Sequence, residues 1–493
     1  MSGIFDEKNR QVIPRWLDYS ASCSIGLLRH IRKQEEPNQG TLDNPRVIED
    51  WKTNPNLFSA VDLLAEALII KNFVFDEAIK AAQLIIRDAP SSSILIRELA
   101  KHFLEPPVSI KLESSQIGQP NYIKRLIGQI KKSVRTHPLN PVAWSELSLY
   151  YATLGHTKKS KQSMQVALSL GGNNPFILRS ASRCFMHIGE PNHAVTILRD
   201  SELCSFNPWV ASAEIAISEV MGFRSKCVDK GRRMIRDDNF APFSRSELAA
   251  CLGTMEIKRG ATRRAKALLQ QALRNPSENA LAQAVWMAIQ LGTEIPHLET
   301  KVPASYEAKA CHLYRAKQYF ASLSSTELWS RFQLFSSRPL VLASFLASVC
   351  INDDKRAICI IENAAPATWG DPLLINNYAF ALARSGNLSL AVEVLRNIDM
   401  NDLTGREKFI LSATQGLISF RSGEKEKARE LYYNAVRGLD RIHESRSAAI
   451  ATYFWATEEK LIGSSHATYK ITEAKKRVKR SGVFEIEDLA TLL

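Results

Sequence analysis

The sequence is short of the features that mark membrane, secreted and low-complexity proteins. Its longest apolar run, roughly from Pro339 to Ile351, is well below the ~20 residues that a membrane-spanning helix needs. The N-terminus carries charges from residue 6 onward and has no apolar core of signal-peptide length. Glycine and proline, at 22 and 20 residues, are not in excess, and no low-complexity block interrupts the chain. We therefore expect a soluble cytoplasmic protein that has no contact with membranes.

Closely spaced cysteine pairs of the CxxC type are also absent. The eight cysteines are scattered singly, which in a long chain indicates a reducing compartment rather than a disulfide framework. Four of them lie on predicted helical stretches beside apolar neighbours: Cys184, Cys227, Cys251 and Cys350. We expect these four to be buried free thiols that behave as small hydrophobes rather than as nucleophiles.

No catalytic signature occurs in the sequence. The chain has no HExxH, GxSxG or GxGxxG motif, and the Lys159-Ser160 step after Gly155 lacks the other glycine spacings of a phosphate-binding loop. His187 and His193 are six residues apart with Gly189 between them, and no cysteine or carboxylate completes a plausible zinc set with them. The sequence therefore predicts that the protein is not an enzyme and binds no cofactor and no metal.

What the sequence does contain is an internal repeat. Gly155, Gly189 and Gly222 are 34 and 33 residues apart, and Gly386 and Gly423 are 37 residues apart. Small and apolar residues recur at helical spacing on both sides of these glycines. This pattern predicts pairs of helices joined at a glycine, which can take the left-handed backbone conformation at a helix end.

The spacing resembles the tetratricopeptide repeat (TPR) family, whose 34-residue unit carries W-x2-L-G-x2-Y, then A-x3-F, then a late proline. The unit around Gly260 matches these positions through Leu252, Gly253, Ala265, Leu269 and Ala272. The resemblance implies an all-α fold, a right-handed superhelical solenoid of antiparallel helix pairs with a concave inner face. We estimate about ten to twelve pairs.

The strength of the repeat divides the chain into six predicted segments. Residues 1–56 are expected to hold a capping helix, which includes Trp16, Leu17, Ile25, Leu27, Leu28 and Ile31, and a loop. Further segments are divergent repeats at 57–140 with an insertion near 105–120, clear and strongly basic repeats at 141–300, divergent repeats at 301–371, clear repeats at 372–440, and capping helices with a tail at 441–493. In the segment 301–371, Asp353 or Asp354 stands where a turn glycine is expected.

The resemblance also implies which side chains line the concave groove. The inward positions of the first helices carry basic, amide and aromatic residues, namely Arg179, Arg183, His187, Lys258, Asn376, Phe380, Arg384 and Arg421. Such a set suits an acidic peptide segment, a C-terminal carboxylate or a phosphate. The alternative is structural, because a basic residue before the turn glycine also complements the C-terminus of its helix.

Most of the net charge of +13 lies in the middle third of the chain. Residues 121–280 contain 24 basic and 12 acidic residues. Many of the basic residues fall on predicted second helices, which we name the basic ridge: Lys158, Lys159, Arg232, Arg233, Arg236, Arg263, Arg264 and Lys266. The ridge indicates an acidic partner surface or nucleic acid, and the alternative is a charged face that keeps the protein soluble.

These features predict a non-catalytic scaffold or regulatory subunit for protein–protein interaction. Repeats of this kind bind partner proteins, and the partner here could be an effector nuclease of a bacterial antiviral defence system. The alternative function is nucleic-acid binding by the basic ridge, although the middle third has few aromatic residues for base stacking. The sequence does not determine the oligomeric state.

Overall fold

The protein is all-α throughout the part of the chain that the computed structural model describes. The described residues are 10–17, 45–70, 76–88, 94–104, 120–237, 239–240, 242–295, 302–399, 401, 403–483, 485–487 and 490. They form helices joined by turns, and no strand occurs among them. The all-α prediction is confirmed.

The chain divides into two compact units, Ser20–Gln116 and Met1–Tyr19 together with Ile117–Leu493. The smaller unit contains α1 (Pro45–Thr53), α2 (Leu57–Ile70), α3 (Asp76–Asp88) and α4 (Ile94–Leu104). Its core is built by Leu63, Leu64 and Ile85, which are fully buried. The sequence predicted a loop up to residue 56, but Pro45–Thr53 is helical, so that prediction was wrong. The predicted insertion at 105–119 and the predicted helical positions 25–31 lie outside the described residues.

The larger unit is a succession of helix pairs. It begins with α5 (Pro120–Thr136), and its first four pairs are α6 (Pro141–Thr153) with α7 (Thr157–Gly171), α8 (Pro175–His187) with α9 (Pro191–Arg199), α10 (Pro208–Val220) with α11 (Val228–Arg236), and α12 (Pro242–Lys258) with α13 (Thr262–Leu273). The helix α14 (Glu278–Gln290) follows. The later pairs are α15 (Tyr306–Arg315) with α16 (Tyr319–Phe332), α17 (Arg338–Phe345) with α18 (Asp354–Glu362), α19 (Pro372–Arg384) with α20 (Leu388–Arg396), α21 (Gly405–Arg421) with α22 (Lys425–Arg441), and α23 (Ser445–Leu461) with α24 (Ala467–Ser481).

The first helices of neighbouring pairs pack on one another in two series. In the first series, α6 contacts α8, α8 contacts α10, α10 contacts α12, and α12 contacts α14. The second series runs from α17 through α19 and α21 to α23. Within each series no pair has to bury its apolar face alone. The predicted array of antiparallel helix pairs is confirmed.

Short sequence signals set the ends of these helices. An Asn-Pro or Asp-Pro step begins α6, α8, α10 and α19, and each Asn or Asp side chain accepts a hydrogen bond from a backbone N–H of the first turn. The pairs α6–α7 and α19–α20 turn at Gly155 and Gly386, whose φ angles are 77° and 89°. These left-handed angles favour glycine, as the repeat spacing predicted.

Two pairs turn without glycine. Lys317 (φ 58°) lies between α15 and α16, and Asn352 (φ 62°) lies between α17 and α18. The expectation of Asp353 or Asp354 at the second turn was wrong by one or two residues. Asp353 instead caps α18 by accepting a hydrogen bond from the Arg356 N–H, and asparagine tolerates the left-handed conformation better than most residues.

The larger unit curves until distant pairs meet. The 3-10 turn Pro366–Gly370 packs against α6. Ala365 joins the cluster of buried apolar residues that contains Ile123 of α5 and Leu147 of α6. The segment that precedes α19 therefore contacts α5 and α6, although more than 200 residues separate them in the sequence.

Described segments near the N-terminus and near the C-terminus pack onto this unit. Residues 10–17, which we name the N-terminal strap, have no helical structure, and Val12 and Trp16 are buried in the core formed by α6 to α14. This corrects the predicted capping helix at Trp16 and Leu17. At the other end, Val483 and Ile486 are buried in the core of α15 to α24.

The prediction of buried free thiols holds for two of the four cysteines, since Cys350 is only half-buried and Cys227 is in a disulfide. Cys204 and Cys227 form a disulfide that joins the 3-10 turn Glu202–Ser205 to the residue before α11. The expectation of a free thiol at Cys227 was therefore wrong. Cys184 and Cys251 are buried free thiols, and burial raises the pKa of Cys184 to about 11, which fits its role as a small hydrophobe.

Gly416→Ala should destabilise the protein, because a side chain has no room at this helix crossing. A Cβ atom at Gly416 would lie 2.7 Å from Cδ2 of Tyr432, and Tyr432 is held by stacking on Trp455 with ring centroids 5.8 Å apart. Overpacking of about 1–3 kcal/mol should exceed the helix-propensity gain of about 1 kcal/mol. Thermal unfolding measures the change.

The matched control is Gly128→Ala on an exposed position of α5, where no atom lies within 4 Å of the new Cβ. This variant should be neutral or slightly stabilised. Equal effects of the two substitutions would contradict the close packing of α21 on α22.

Candidate partner-binding groove

The N-terminal strap lies in the groove and is held there by its backbone. Asn279 Nδ2 of α14 donates a hydrogen bond to the carbonyl oxygen of Ile13 over 3.0 Å. One turn further along α14, Gln283 Nε2 donates to the carbonyl oxygen of Arg10 over 2.9 Å. Two amides four residues apart lie on one face of a helix, so α14 presents a row of donors to an extended chain.

The side chains of the strap meet a single buried carboxylate, Glu307 of α15. Arg10 Nη2 lies 2.9 Å from Glu307 Oε1, and Arg15 pairs with Oε2. Arg338 Nη2, at the start of α17, lies 3.1 Å from the same Oε1. The side chain of Glu307 is only 2% exposed. Burial alone would raise its pKa, but the three guanidinium groups outweigh burial and hold the pKa of Glu307 well below its usual range.

A second buried carboxylate, Glu247 of α12, connects the strap to α8. Glu247 Oε2 accepts from Arg179 Nη2 at 2.5 Å and from Asn279 Nδ2 at 3.3 Å. Trp209 Nε1 donates to Oε1 over 3.1 Å, and the Arg179 guanidinium lies 4.4 Å from the Trp209 ring centroid. Burial opposes ionisation, but the charge of Arg179 prevails and lowers the pKa of Glu247. Arg179 therefore supports the strap indirectly, through Glu247 and Asn279.

Arg183 and His187, the next predicted groove residues on α8, surround Phe335. The Arg183 guanidinium carbon is 5.0 Å from the Phe335 ring centroid, and the His187 and Phe335 centroids are 5.1 Å apart. Trp16 of the strap contacts the same ring with centroids 5.4 Å apart. Burial and the charge of Arg183 lower the pKa of His187 to about 4, so His187 is neutral at pH 7. Phe335 brings α8 and the strap together.

The basic residues just before the turns are bound within the chain. Arg384 Nη1 donates to the Ser348 carbonyl over 2.8 Å, and Arg421 Nη1 donates to the Arg384 carbonyl over 2.8 Å. Lys258 Nζ lies 3.3 Å from Glu219 Oε2. These contacts join each first helix to the end of the preceding unit, whereas the structural alternative considered for these residues was an interaction with the C-terminus of their own helix. Their role in partner binding stays a prediction.

The remaining two predicted groove residues, on α19, are buried. Phe380 packs edge-on against Phe454 of α23, with ring centroids 4.8 Å apart. Asn376 is 0% exposed, and neither atom of its amide makes a hydrogen bond. Arg421, at the end of α21, pairs with Glu458 at 2.9 Å. This end of the groove is thus lined by α19, α21 and α23 with contacts that the chain supplies itself.

The basic ridge lies on second helices, as predicted, and points outward. Its exposed members are Lys158, Lys159, Arg233, Arg236, Arg263, Arg264 and Lys266, while Arg232 is half-buried and binds Glu256 at 3.0 Å. A cleft of about 570 Å³ opens beside the ridge and is lined by Lys230, Arg233, Arg236 and the rings of Phe206 and Phe240. The ridge and the groove are therefore on opposite sides of the same helix pairs.

Sequence reasoning missed the residues that hold the strap. Asn279 and Gln283 are polar residues within a largely apolar helical stretch, which is a signal for an inward polar position, whereas Glu307 lies among other charged residues and has no such signal. The strap itself has no repeat pattern, so no periodicity could place it. In the described part of the chain, no group of His, Cys, Asp or Glu has the arrangement of a metal site, and no helix is long and apolar enough to span a membrane.

Glu307→Gln should destabilise the protein at neutral pH, because three guanidinium groups lose their shared carboxylate. Removing one partner of a buried ion pair costs about 3–5 kcal/mol. The wild-type pKa of Glu307 is below its unfolded value of 4.5, so its contribution is present above that value and is lost as the pH falls. The variant should consequently show a weaker loss of Tm between about pH 6 and about pH 3.

Exposed Glu430 provides the control, since Glu430→Gln should leave both the Tm and its pH dependence unchanged. Thermal unfolding at a series of pH values measures both variants. If Glu307→Gln also leaves the Tm unchanged, the ion pairs of Glu307 with Arg10 and Arg15 do not stabilise the protein.

Comparison with known proteins assigns neither a family nor a partner to this chain. No family model matches the chain, and no curated protein matches it. Among solved structures, yeast Tom70 aligns with 77% of this chain and 93% of its own, at 13% identity and a TM-score of 0.30. Naa15/Naa10 bound to HypK-THB aligns over 88% of this chain and 79% of its own, at 13% identity and a TM-score of 0.22. Neither similarity is close enough to assign a partner.

Proposed function

We propose that the protein is a non-catalytic scaffold of the TPR type whose groove binds an extended polypeptide segment. The observation that carries the proposal is the N-terminal strap. Its eight described residues would span roughly 25 Å if fully extended, and side chains of α14 and α15 hold them. The strap occupies the groove as a bound peptide would.

The contacts of the strap combine affinity with selectivity. Asn279 and Gln283 donate hydrogen bonds to backbone carbonyl groups. Their contribution to affinity therefore does not depend on the side chains of the bound segment. Selectivity comes from the buried ring of Trp16, which is 1% exposed, and from basic side chains that reach Glu307. A partner that binds in place of the strap should therefore present an extended segment with basic residues flanking an aromatic or aliphatic anchor.

A peptide of residues 8–19 should bind in trans when the chain's own strap is weakened. Trp16→Ala with Arg10→Ala removes the anchor and one ion pair, so the labelled peptide should bind this full-length variant at least tenfold more tightly than wild type. Fluorescence anisotropy measures the affinities. Adding Asn279→Ala and Gln283→Ala should abolish the binding.

Two controls test whether the peptide binds specifically in the groove. Phe320→Ala removes an exposed ring of α16 and should leave peptide binding at the wild-type level. A scrambled peptide should not bind the strap-weakened variant. The proposal fails if the peptide binds neither protein, or if its binding survives the loss of both amides.

The more specific form of the proposal is a regulatory subunit whose partner is an effector such as a nuclease. Purification of the tagged chain from its host, with nuclease treatment and high-salt washing, tests it. A stoichiometric protein retained by the wild type and lost from the Asn279→Ala, Gln283→Ala variant supports a groove-bound partner. Material that leaves with salt points to the ridge instead.

A second candidate function, nucleic-acid binding, rests on the exposed ridge and its adjoining cleft. Phosphate contacts by several Lys and Arg residues would give affinity that falls steeply with salt. Reversing Arg263 and Arg264 to glutamate should lower the affinity for single-stranded DNA or RNA by at least tenfold in gel-shift titrations. The matched reversal of Lys475 and Lys476, two exposed residues of α24 outside the ridge, should spare that binding. Equal losses from both reversals would exclude the ridge as the site.

A further inference from the structure

The cleft beside the basic ridge has the size of a ligand site. Its volume of about 570 Å³ is within the range of pockets that hold small organic molecules. One wall is formed by residues 205–206, which follow the 3-10 turn Glu202–Ser205, and the other by α11 and the residues just after it. Aromatic rings and cationic side chains face this one space.

Three cations line the cleft, Lys230, Arg233 and Arg236. They follow one another at intervals of three residues, so they lie along one side of α11. Arg233 and Arg236 are exposed and make no hydrogen bond or ion pair with any residue that the structure describes. Lys230 Nζ donates to Ser205 Oγ over 2.6 Å, which leaves two of its three N–H groups for a ligand. Asp237 is the carboxylate among the described lining residues, so three cations and one anion leave two excess positive charges.

Two phenylalanine rings form the apolar part of the cleft. Phe240 is half-buried and packs against the core of α6 to α14. Phe206 is 54% exposed. A single exposed ring is common on a protein surface, but Phe206 shares its cleft with three cations. A flat ligand that carries an anionic group can therefore contact a ring and the cations at the same time.

The two walls of the cleft are joined covalently. Cys204 directly precedes Ser205 and Phe206, and Cys227 directly precedes α11. The disulfide between these cysteines and the hydrogen bond from Lys230 to Ser205 hold the first wall against the second. A site whose walls are already in place loses less conformational freedom when a ligand binds.

We propose that the cleft binds a nucleotide, with its base stacked on Phe206 and its 5′-phosphate bound by Arg233 and Arg236. Aromatic side chains stack on any base, and guanidinium groups bind phosphate oxygens through paired N–H donors. A dianionic phosphate matches the two excess charges of the lining. An acidic peptide would use the cations but would leave the exposed ring without a partner. A free nucleotide and the 5′-phosphorylated end of a single strand present the same base and phosphate.

The cleft is separate from the functions proposed above. It includes none of the residues that hold the strap. It shares Arg233 and Arg236 with the basic ridge but does not include Arg263 and Arg264 of α13. Peptide binding in the groove, nucleic-acid binding by the ridge and nucleotide binding in the cleft can therefore fail independently.

Binding of adenosine 5′-monophosphate (AMP) to the full-length protein tests the site. Isothermal titration should give one saturable AMP site per chain, because both ring and cations contribute. Adenosine and inorganic phosphate, which each lack one of the two groups, should bind at least tenfold more weakly than AMP. Phe206→Ala should weaken AMP binding at least fivefold, and Arg233→Gln with Arg236→Gln at least tenfold. The substituted residues are exposed, so these variants should keep the wild-type Tm.

Matched controls separate the cleft from the rest of the surface. Phe320→Ala, on an exposed ring of α16, and Arg263→Gln with Arg264→Gln, on the ridge, should both keep the wild-type affinity for AMP. Wild-type protein that does not bind AMP saturably would overturn the proposal. So would equal affinity of Phe206→Ala and wild type, or an octaglutamate peptide that binds as tightly as AMP.

A single-stranded octanucleotide with a 5′-phosphate distinguishes the two sources of the nucleotide. Binding at least tenfold tighter than that of AMP, and lost with the 5′-phosphate or with Phe206→Ala, identifies a strand end as the ligand. Binding no tighter than that of AMP identifies a free nucleotide. If the strand binds through Arg263 and Arg264 while AMP does not bind, the ridge function stands and the cleft site is refuted.

Discussion

One buried carboxylate sets the arrangement of the groove. Glu307 lies deep between α14 and α17 and cannot remain ionised there without cations. Two of the three cations that reach it, Arg10 and Arg15, come from the strap at the start of the chain. The third, Arg338, comes from a first helix on the other side. The need to neutralise Glu307 therefore ties a segment without regular structure to a rigid helical array, and it determines where that segment lies.

The groove consequently has two chemically different parts. Toward the C-terminus, Arg384 and Arg421 satisfy helix ends and carboxylates of neighbouring first helices, and the aromatic rings of Phe380 and Phe454 fill the space between them. In the centre, amides and charges face an extended chain segment instead of another helix. The first part joins neighbouring first helices to one another, and the second part holds the strap.

The sequence predicts the scaffold well because its signals are local. Asn-Pro steps, turn glycines and small residues at helix crossings each act within one pair, and they place α6 to α13 and α19 to α22 correctly. Turn glycines do not reveal the turns at Lys317 and Asn352, because these two residues adopt the left-handed conformation without being glycine. The strap and its contacts with Asn279 and Gln283 join residues more than 260 positions apart, which no periodicity can reveal.

A photo-crosslink tests most directly whether the N-terminal strap lies in the groove of its own chain. With p-benzoylphenylalanine in place of Trp16, irradiation of the full-length protein should join position 16 to the peptide containing Phe335. Mixing isotopically light and heavy chains before irradiation shows whether the link is internal. Crosslinks within one isotopic form and at Phe335 are the predicted result. Crosslinks to other regions, mixed light–heavy products, or none at all would contradict the occupied groove.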